Sequence, residues 1–180
     1  MSATAAGHES LGRAVEAVRT LFAAAACSVA LVDADGEALE FVASAGAGEQ
    51  EIIGATIPVG RGIAGWAAMS GQPIAVRDVQ VDARFARDVA ESTHYLPTAI
   101  YAAPLLDQDG DVLGVASVLD PVLDQSSDWA LQVLGAMAGL LALVVVPAPG
   151  PVAGTPLDQL GADVLHLVET WRDERGTAPS

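Results

Sequence analysis

The fold is decided by residues 98–119, TAIYAAPLLDQDGDVLGVASVL, which predict a β-hairpin. Residues that favour strands fill 98–106 and 112–119, and the polar run Gln-Asp-Gly at 108–110 suits the tight turn between them. An earlier segment repeats this layout as strand, turn and strand, at 27–32, 34–36 and 38–44. The sequence therefore predicts two β-hairpins of similar design.

Longer helices are predicted on either side of the hairpins. Residues 9–25 carry apolar side chains at helical spacing, and residues 129–146 are apolar except for Gln132. Asp128 is expected to cap this second helix. Between the hairpins, the predicted elements are two short strands (55–59 and 73–76), a turn (60–62) and two short helices (63–70 and 82–91), the last capped by Asp82.

Composition restricts the chemistry that the chain can perform. The chain has 180 residues, of which 52% are hydrophobic and 17% charged, so it can bury a core. A formal net charge of −15 disfavours nucleic acid and anionic membranes as partners. All basic residues are arginines and asparagine is absent, which excludes a P-loop lysine, a Schiff-base lysine and any site that needs asparagine.

Export and membrane attachment are disfavoured as well. The single cysteine, Cys27, excludes an internal disulfide and is compatible with a reducing, cytoplasmic location. The arginines and alanines before Cys27 resemble a lipoprotein signal, but Glu9 and Glu16 interrupt its basic region. The helix predicted over 129–146 is at the lower length limit of a membrane span, yet acidic residues precede it and no arginine lies nearby. We therefore expect no contact with a membrane.

The two ends of the chain are expected to lie outside the main domain. Residues 1–8 are predicted to be a disordered N-terminus, residues 147–156 a Pro/Gly/Ala linker, and residues 175–180 a tail. An amphipathic helix is predicted over 157–174. Its apolar stripe is expected to contact a protein partner or a second copy of the chain: Leu157, Leu160, Val164, Leu167 and Trp171.

Two motifs have simpler explanations than ligand binding. Gly60, Gly62 and Gly65 form the pattern G-x-G-x-x-G, but the segment that follows is too short for the crossover helix of a dinucleotide-binding fold. The acidic run 107–111 suggests calcium, but Val118 stands where a bidentate glutamate is required. Turns explain both patterns, and no metal ligand set is predicted.

Side chains suited to catalysis or metal binding are scarce. No serine lies in a G-x-S-x-G elbow, and Cys27 is expected to be buried and inert. His94 lies in a loop that leads into the second hairpin, where loops often border a cavity. A structural role is the simpler interpretation of His94, and a haem or metal ligand is the alternative.

Several strings together resemble the GAF domain family, the small-molecule-sensing module of phosphodiesterases, phytochromes and bacterial signalling proteins. The resemblance spans residues 9–146 and includes the first hairpin, 27–44. The other strings are IPVGRGIAGW at 57–66, GQPIAVRD at 71–78, DARF at 82–85, APL at 103–105 and LGVASV at 113–118. The resemblance implies an α/β (α+β) fold, with a central antiparallel sheet of about six strands between helices. It also implies that the first and last helices pack together and form a dimer interface.

The resemblance further implies a ligand site between one face of the sheet and the helices and loops that cover it. Matching segments supply the candidate ligand-binding residues: Arg61, Ile63, Trp66, Val76, Phe85, His94, Tyr95, Tyr101 and Ser117. Arg61 is the candidate cation for an anionic ligand, and Trp66, Tyr95 and Tyr101 offer apolar area with a polar edge. The alternative is that these aromatic residues belong to the core.

Departures from better-known members of the family narrow the expected function. The Asn-Lys…Phe…Asp-Glu signature of cyclic-nucleotide-binding members is absent, because the chain has no asparagine or lysine. One cysteine is too few for the members that reduce free methionine sulfoxide, and Cys27 matches no bilin-attachment position. We expect a non-enzymatic sensor of an unidentified small molecule that signals as a homodimer or to a partner. The alternatives are a protein-interaction scaffold with a filled pocket and a haem-based gas or redox sensor that uses His94.

Overall fold

Six strands form one antiparallel sheet in the computed structural model, which describes residues 3–122 and 127–145. In chain order they are β1 (Ala26–Val32), β2 (Ala38–Gly46), β3 (Thr56–Pro58), β4 (Ile74–Val76), β5 (Ile100–Leu106) and β6 (Val112–Leu119). Across the sheet the order is β3-β2-β1-β6-β5-β4, so the two hairpins meet at the centre through β1 and β6. The predicted antiparallel sheet of about six strands is confirmed.

Helices cover both faces of this sheet. They are α1 (Ala3–Leu21), α2 (Glu49–Ile52), α3 (Gly62–Ser70), α4 (Arg87–Ser92) and α5 (Ser127–Val145), with a 3-10 turn at Val79–Val81. α1 and α5 pack on one face, whereas α2, α3 and α4 lie on the other. The predicted linker, the predicted helix over 157–174 and its apolar stripe fall outside the described residues.

Two of the predicted helix caps are wrong. Asp82 does not begin a helix, because its carboxylate accepts hydrogen bonds from the backbone N–H of Arg84 at 2.9 Å and from the Arg84 guanidinium at 2.7 Å. This local turn competes with helix formation, and α4 begins only at Arg87. Asp128 lies inside the first turn of α5, which begins at Ser127. α2, with four residues, was not predicted at all.

Side chains alternate between the two faces of the sheet along each strand, and this divides the interior into two core clusters. On β6, Ala116 and Val118 face α1 and α5, whereas Val115 belongs to the cluster beneath α3. The first cluster also contains Leu11 and Val15 of α1 and the buried stripe of α5. The central strands therefore separate two layers and contribute side chains to both.

α5 is the helix, among the described residues, that is long and apolar enough to cross a membrane. Its window Asp128–Val145 has a mean hydropathy of 1.8, and 28% of the window is buried. This is weak evidence for a span, because a core helix passes the same test, and Leu134 and Ala138 of α5 lie in the core against the sheet. The opposite side of α5 is apolar and exposed: Trp129, Leu140, Leu143 and Val144. The absence of membrane contact stays a prediction.

Candidate functional site

A cavity of about 100 Å³ lies between the sheet and the layer formed by α2, α3 and α4. Strands β1, β2 and β6 form its floor, and none of the described residues that line it is charged. Its apolar walls are formed by Phe41, Ile52, Ile57, Ile63, Phe85, Val89 and the ring of Tyr95. An apolar cavity with a few polar groups is the usual form of a small-molecule site.

Three serines on adjacent strands form the polar part of the floor. Ser28 of β1 lies opposite Ser44 of β2 and opposite Ser117 of β6, so the three occupy one row across the sheet. Neighbouring strands are about 4.8 Å apart, which gives the row a length of about 10 Å. We call these three residues the serine row; all of them line the cavity.

The hydroxyls of the serine row are largely unused by the protein. Ser28 and Ser117 are only 7% and 5% exposed, and they are the buried polar residues of the described chain. Ser44 donates to the carbonyl of Cys27 at 3.4 Å, whereas no hydrogen bond within the described chain involves the hydroxyl of Ser28 or Ser117. No fully enclosed side-chain oxygen or nitrogen in the described residues lacks a partner, so both hydroxyls reach the open space of the cavity.

A β-bulge in β2 brings Phe41 and Ser44 to the same face. Ala30 pairs with Phe41 and Val29 with Ala43, which leaves Val42 as an extra residue. In a regular strand, residues three apart point to opposite faces. The bulge therefore adds both an aromatic wall and the third hydroxyl to the cavity.

Tyr95 closes one side of the cavity and is held there by Asp120. Its hydroxyl donates to the carboxylate of Asp120, which also accepts from the backbone N–H groups of Thr98 at 2.8 Å and Ala99 at 2.7 Å. Partial burial, together with the hydrogen bond to Asp120, raises the pKa of Tyr95 to about 12. Tyr95 thus offers its ring to the cavity while its hydroxyl is committed elsewhere.

Arg61, the predicted cation of the site, does not line the cavity. Its guanidinium lies 2.6 Å from the carboxylate of Asp88, in an exposed ion pair that joins the residue before α3 to the first turn of α4. The hydrogen bond from Arg61 lowers the pKa of Asp88. The arginine is therefore neutralised by a carboxylate outside the cavity.

The structure brings four of the predicted ligand-binding residues to the cavity, and these are Ile63, Phe85, Tyr95 and Ser117. Besides Arg61, the residues that it places elsewhere are Trp66, Val76, His94 and Tyr101. Trp66 lies beneath the guanidinium of Arg84, with 5.2 Å from the guanidinium carbon to the ring centre, and Val76 is in the core.

Tyr101 and His94 lie away from the cavity for two different reasons. Tyr101 belongs to the cluster against α1 and α5, since its neighbour Ala102 takes the opposite face of β5. His94 is exposed, in the left-handed region with a φ of 56°. The haem-based alternative therefore has no histidine at the cavity wall in the described part of the chain.

Sequence reasoning missed most of the floor. Ser28 was available as a signal, because it is the lone polar residue of an otherwise apolar strand, whereas Ser44 shares its strand with Glu40. Their partnership with Ser117 depends on the pairing of β1 with β6, whose residues are distant in the sequence.

The described residues assemble neither a metal site nor a reactive thiol at the cavity. Among residues 3–122 and 127–145, no cluster of three or more His, Cys, Asp or Glu side chains could hold a metal ion. Cys27 lies in the cluster on the other side of the sheet, and burial raises its pKa to about 12. The arrangement is suited to binding an uncharged molecule.

Comparison with known proteins assigns the chain to a family. A model of the GAF domain matches residues 7–145. The cGMP-specific 3',5'-cyclic phosphodiesterase of Drosophila sechellia is 38% identical over 78 residues, which are 43% of this chain and 6% of the phosphodiesterase. The chain therefore spans a small part of the length of that enzyme.

Solved structures have the same fold at low sequence identity. The free methionine-R-sulfoxide reductase of Neisseria meningitidis, in complex with its substrate, has a TM-score of 0.62 and 22% identity, and the match covers 77% of both chains. The GAF-B domain of DevS from Mycobacterium smegmatis has a TM-score of 0.58 and 22% identity, over 76% of this chain and 91% of that domain. With the family match over residues 7–145, the chain belongs to the GAF domain family of regulatory and sensory modules.

Proposed function

We propose that this GAF domain is a non-enzymatic sensor, in which a small molecule binds in the cavity and its presence is transmitted to α1 and α5. One observation carries the proposal: β1 and β6 supply the floor of the cavity with one set of residues and the core beneath α1 and α5 with the alternate set. A ligand on the floor is thus separated from α1 and α5 by the sheet alone.

The residues next to Ser28 and Ser117 in the sequence provide the route by which a ligand would affect α1 and α5. Cys27 and Val29 flank Ser28, and Ala116 and Val118 flank Ser117, and all four are fully buried against α1 and α5. Closely packed interiors transmit small displacements, because they have few voids to absorb them. A ligand that shifts the serine row changes the packing of both helices, which biases the populations of their positions.

The sensor is proposed to pass its signal to a second copy of the chain. The exposed apolar side of α5 supports this, since Leu143 is 70% exposed and Leu140 57% exposed with no charged residue between them. The predicted stripe of the C-terminal segment, Leu157 to Trp171, would extend the contact or recruit another protein. A cytoplasmic location remains part of the proposal and rests on the single free cysteine.

A protein-interaction scaffold with a filled pocket is the second candidate. The exposed side of α5 would serve it equally well. The open cavity and the two buried hydroxyls, which have no partner among the described residues, favour the sensor, because a filled pocket would satisfy or replace such groups.

The test compares the full chain, purified from a soluble lysate, with a variant whose cavity is filled. Ala90→Phe fills the space from α4, and Ala83→Phe is the matched control, because Ala83 is exposed and does not line the cavity. We expect native mass spectrometry to find a small molecule on the wild type and on A83F but not on A90F. Hydrogen exchange in α1 and α5 should then differ between wild type and A90F.

A bare wild-type mass, combined with identical exchange in α1 and α5 of all three proteins, would contradict the sensor. In that case the scaffold becomes the better explanation of the fold.

A further inference from the structure

We propose that the ligand is an uncharged molecule of single-ring size that uses one polar edge to hydrogen-bond the serine row. This inference rests on the proposed function and deepens it, because it names the chemical class that the cavity selects. Three properties of the cavity carry it: its volume, its lack of charge and its unused hydroxyls.

The volume of the cavity matches about one ring. A cavity of about 100 Å³ is smaller than the roughly 300–1,000 Å³ of pockets that hold drug-sized molecules. It is similar to an engineered cavity of about 150 Å³ that binds benzene in another protein. A nucleotide would have to extend out of the cavity into solvent.

The absence of charge among the described lining residues disfavours ionic ligands. Within residues 3–122 and 127–145 no charged side chain lines it, and Arg61 already pairs with Asp88 outside. An ion that entered would lose its hydration without gaining a counter-charge, which is strongly unfavourable. The net charge of −15 repels anions further.

The serine row selects a ligand with donors and acceptors side by side. Each hydroxyl has one donor and two acceptor lone pairs and rotates to suit its partner. Directly opposed residues on neighbouring strands have Cβ atoms about 5 Å apart, so Ser28 and Ser117 can both reach adjacent polar atoms of one molecule. A carboxamide or imide edge on a ring has this arrangement.

The apolar walls accept the remainder of such a ring. Phe41, Phe85 and the ring of Tyr95 line the cavity away from the serines. Because the hydroxyl of Tyr95 is bound to Asp120, it does not compete with the serine row for the polar edge. The two halves of the cavity therefore match the two halves of the proposed ligand.

Three probes of nearly equal shape separate these properties. Benzamide has the ring and the neutral polar edge, benzoate replaces that edge by a charge, and toluene has no hydrogen-bonding group. Each is titrated into the ¹⁵N-labelled full chain, and the amide signals of the serine row are followed by NMR. We expect saturable shifts with benzamide, affinity about tenfold lower for toluene, and affinity about a hundredfold lower or undetectable for benzoate.

Serine variants assign the polar contacts. Ser28→Ala and Ser117→Ala should each weaken benzamide about three- to tenfold and leave toluene unchanged, which also shows that the cavity is intact. Ser10→Ala is the matched control, since Ser10 is exposed on α1 and does not line the cavity. It should change neither affinity.

The outcomes distinguish this inference from the function on which it rests. Equal binding of benzamide and toluene, tighter binding of benzoate, or indifference to S28A and S117A would overturn the ligand class while leaving the cavity as a binding site. If none of the three probes shifts the serine row, the ligand class is wrong, and the native mass and exchange of wild type and A90F then decide whether the cavity is a sensor site at all.

Discussion

Ser28 lies directly opposite Ser117 across the pairing of β1 with β6, and both side chains face the cavity. This pair joins the two hairpins at the centre of the sheet, where a polar residue is costly unless it has a partner. The protein has placed two such residues side by side at the position that a ligand would contact. Fold stability and ligand binding therefore make opposite demands on these residues.

Replacing Ser117 by valine should stabilise the fold. The change removes a buried hydroxyl without a protein partner and adds apolar area in a strand, for a gain of about 1 kcal/mol in the free energy of unfolding. Urea denaturation measures it. Thr56→Val, at an exposed position of β3, is the control and should change stability little. A loss of stability in S117V would show that the hydroxyl has an internal partner.

Asp120 should contribute more to stability than its partner Tyr95. Asp120→Ala breaks the contact with the Tyr95 hydroxyl and leaves the N–H groups of Thr98 and Ala99 without their acceptor, at a cost of about 2–3 kcal/mol. Tyr95→Phe removes one of these hydrogen bonds, at a cost of about 1 kcal/mol. Chemical denaturation of both variants checks the order, and equal losses would contradict it.

Acid should destabilise the domain partly through Asp82. The hydrogen bonds from Arg84 lower its pKa from 3.8 to about 2. A pKa that is depressed in the folded state stabilises the fold above pH 3.8, and this contribution is lost as the pH falls toward 2. Melting temperatures between pH 5 and 2 should therefore fall less steeply in Arg84→Gln than in the wild type. Arg13→Gln, at an exposed position of α1, should retain the wild-type slope.

Two glycine substitutions should have opposite effects. A Cβ on Gly114 would collide with the backbone carbonyl of Ala30, in the pairing of β1 with β6, so Gly114→Ala should cost about 3 kcal/mol or prevent folding. Gly12 of α1 has open space around it, and Gly12→Ala should raise stability by up to about 1 kcal/mol. Thermal unfolding of both variants tests this contrast. A mild effect of G114A would mean that β1 and β6 can move apart.

The proposed homodimer depends on the exposed side of α5. Leu143→Glu places a charge on that apolar surface and should convert the dimer to a monomer with no loss of secondary structure. Light scattering after size-exclusion chromatography measures the mass. Met69→Glu is the control, because Met69 is 61% exposed on α3, on the other side of the sheet. A dimer that survives L143E would place the interface elsewhere.

The hairpins were predictable because their turns are encoded locally. The strands predicted at 27–32 and 112–119 differ by no more than one residue from β1 and β6. The start of α4 was not predictable in the same way, since the bonds between Asp82 and Arg84 compete with a cap at that position.

The candidate site was only partly predictable, because β5 is apolar on both faces. Tyr101 and Ala102 are both buried, so the sequence pattern does not tell which of them lies on the face of the sheet that α3 covers. Arg61 pairs with Asp88 outside the cavity, and because Asp88 is 27 residues away, no local sequence pattern predicts that pair. Ser117 and Phe85 were identified by resemblance, and the bulge at Val42, which brings Ser44 to the cavity, left no recognised signal.

The alternation along β1 and β6 has a consequence for how such domains diverge. In the proposed sensor, substitutions at Ser28 and Ser117 would change what the cavity accepts, while Cys27, Val29 and Val118 keep the surface on which α1 and α5 rest. Descendants of one ancestral domain could then acquire new ligands and inherit the same output. Two sets of positions, interleaved residue by residue, allow these two traits to evolve separately.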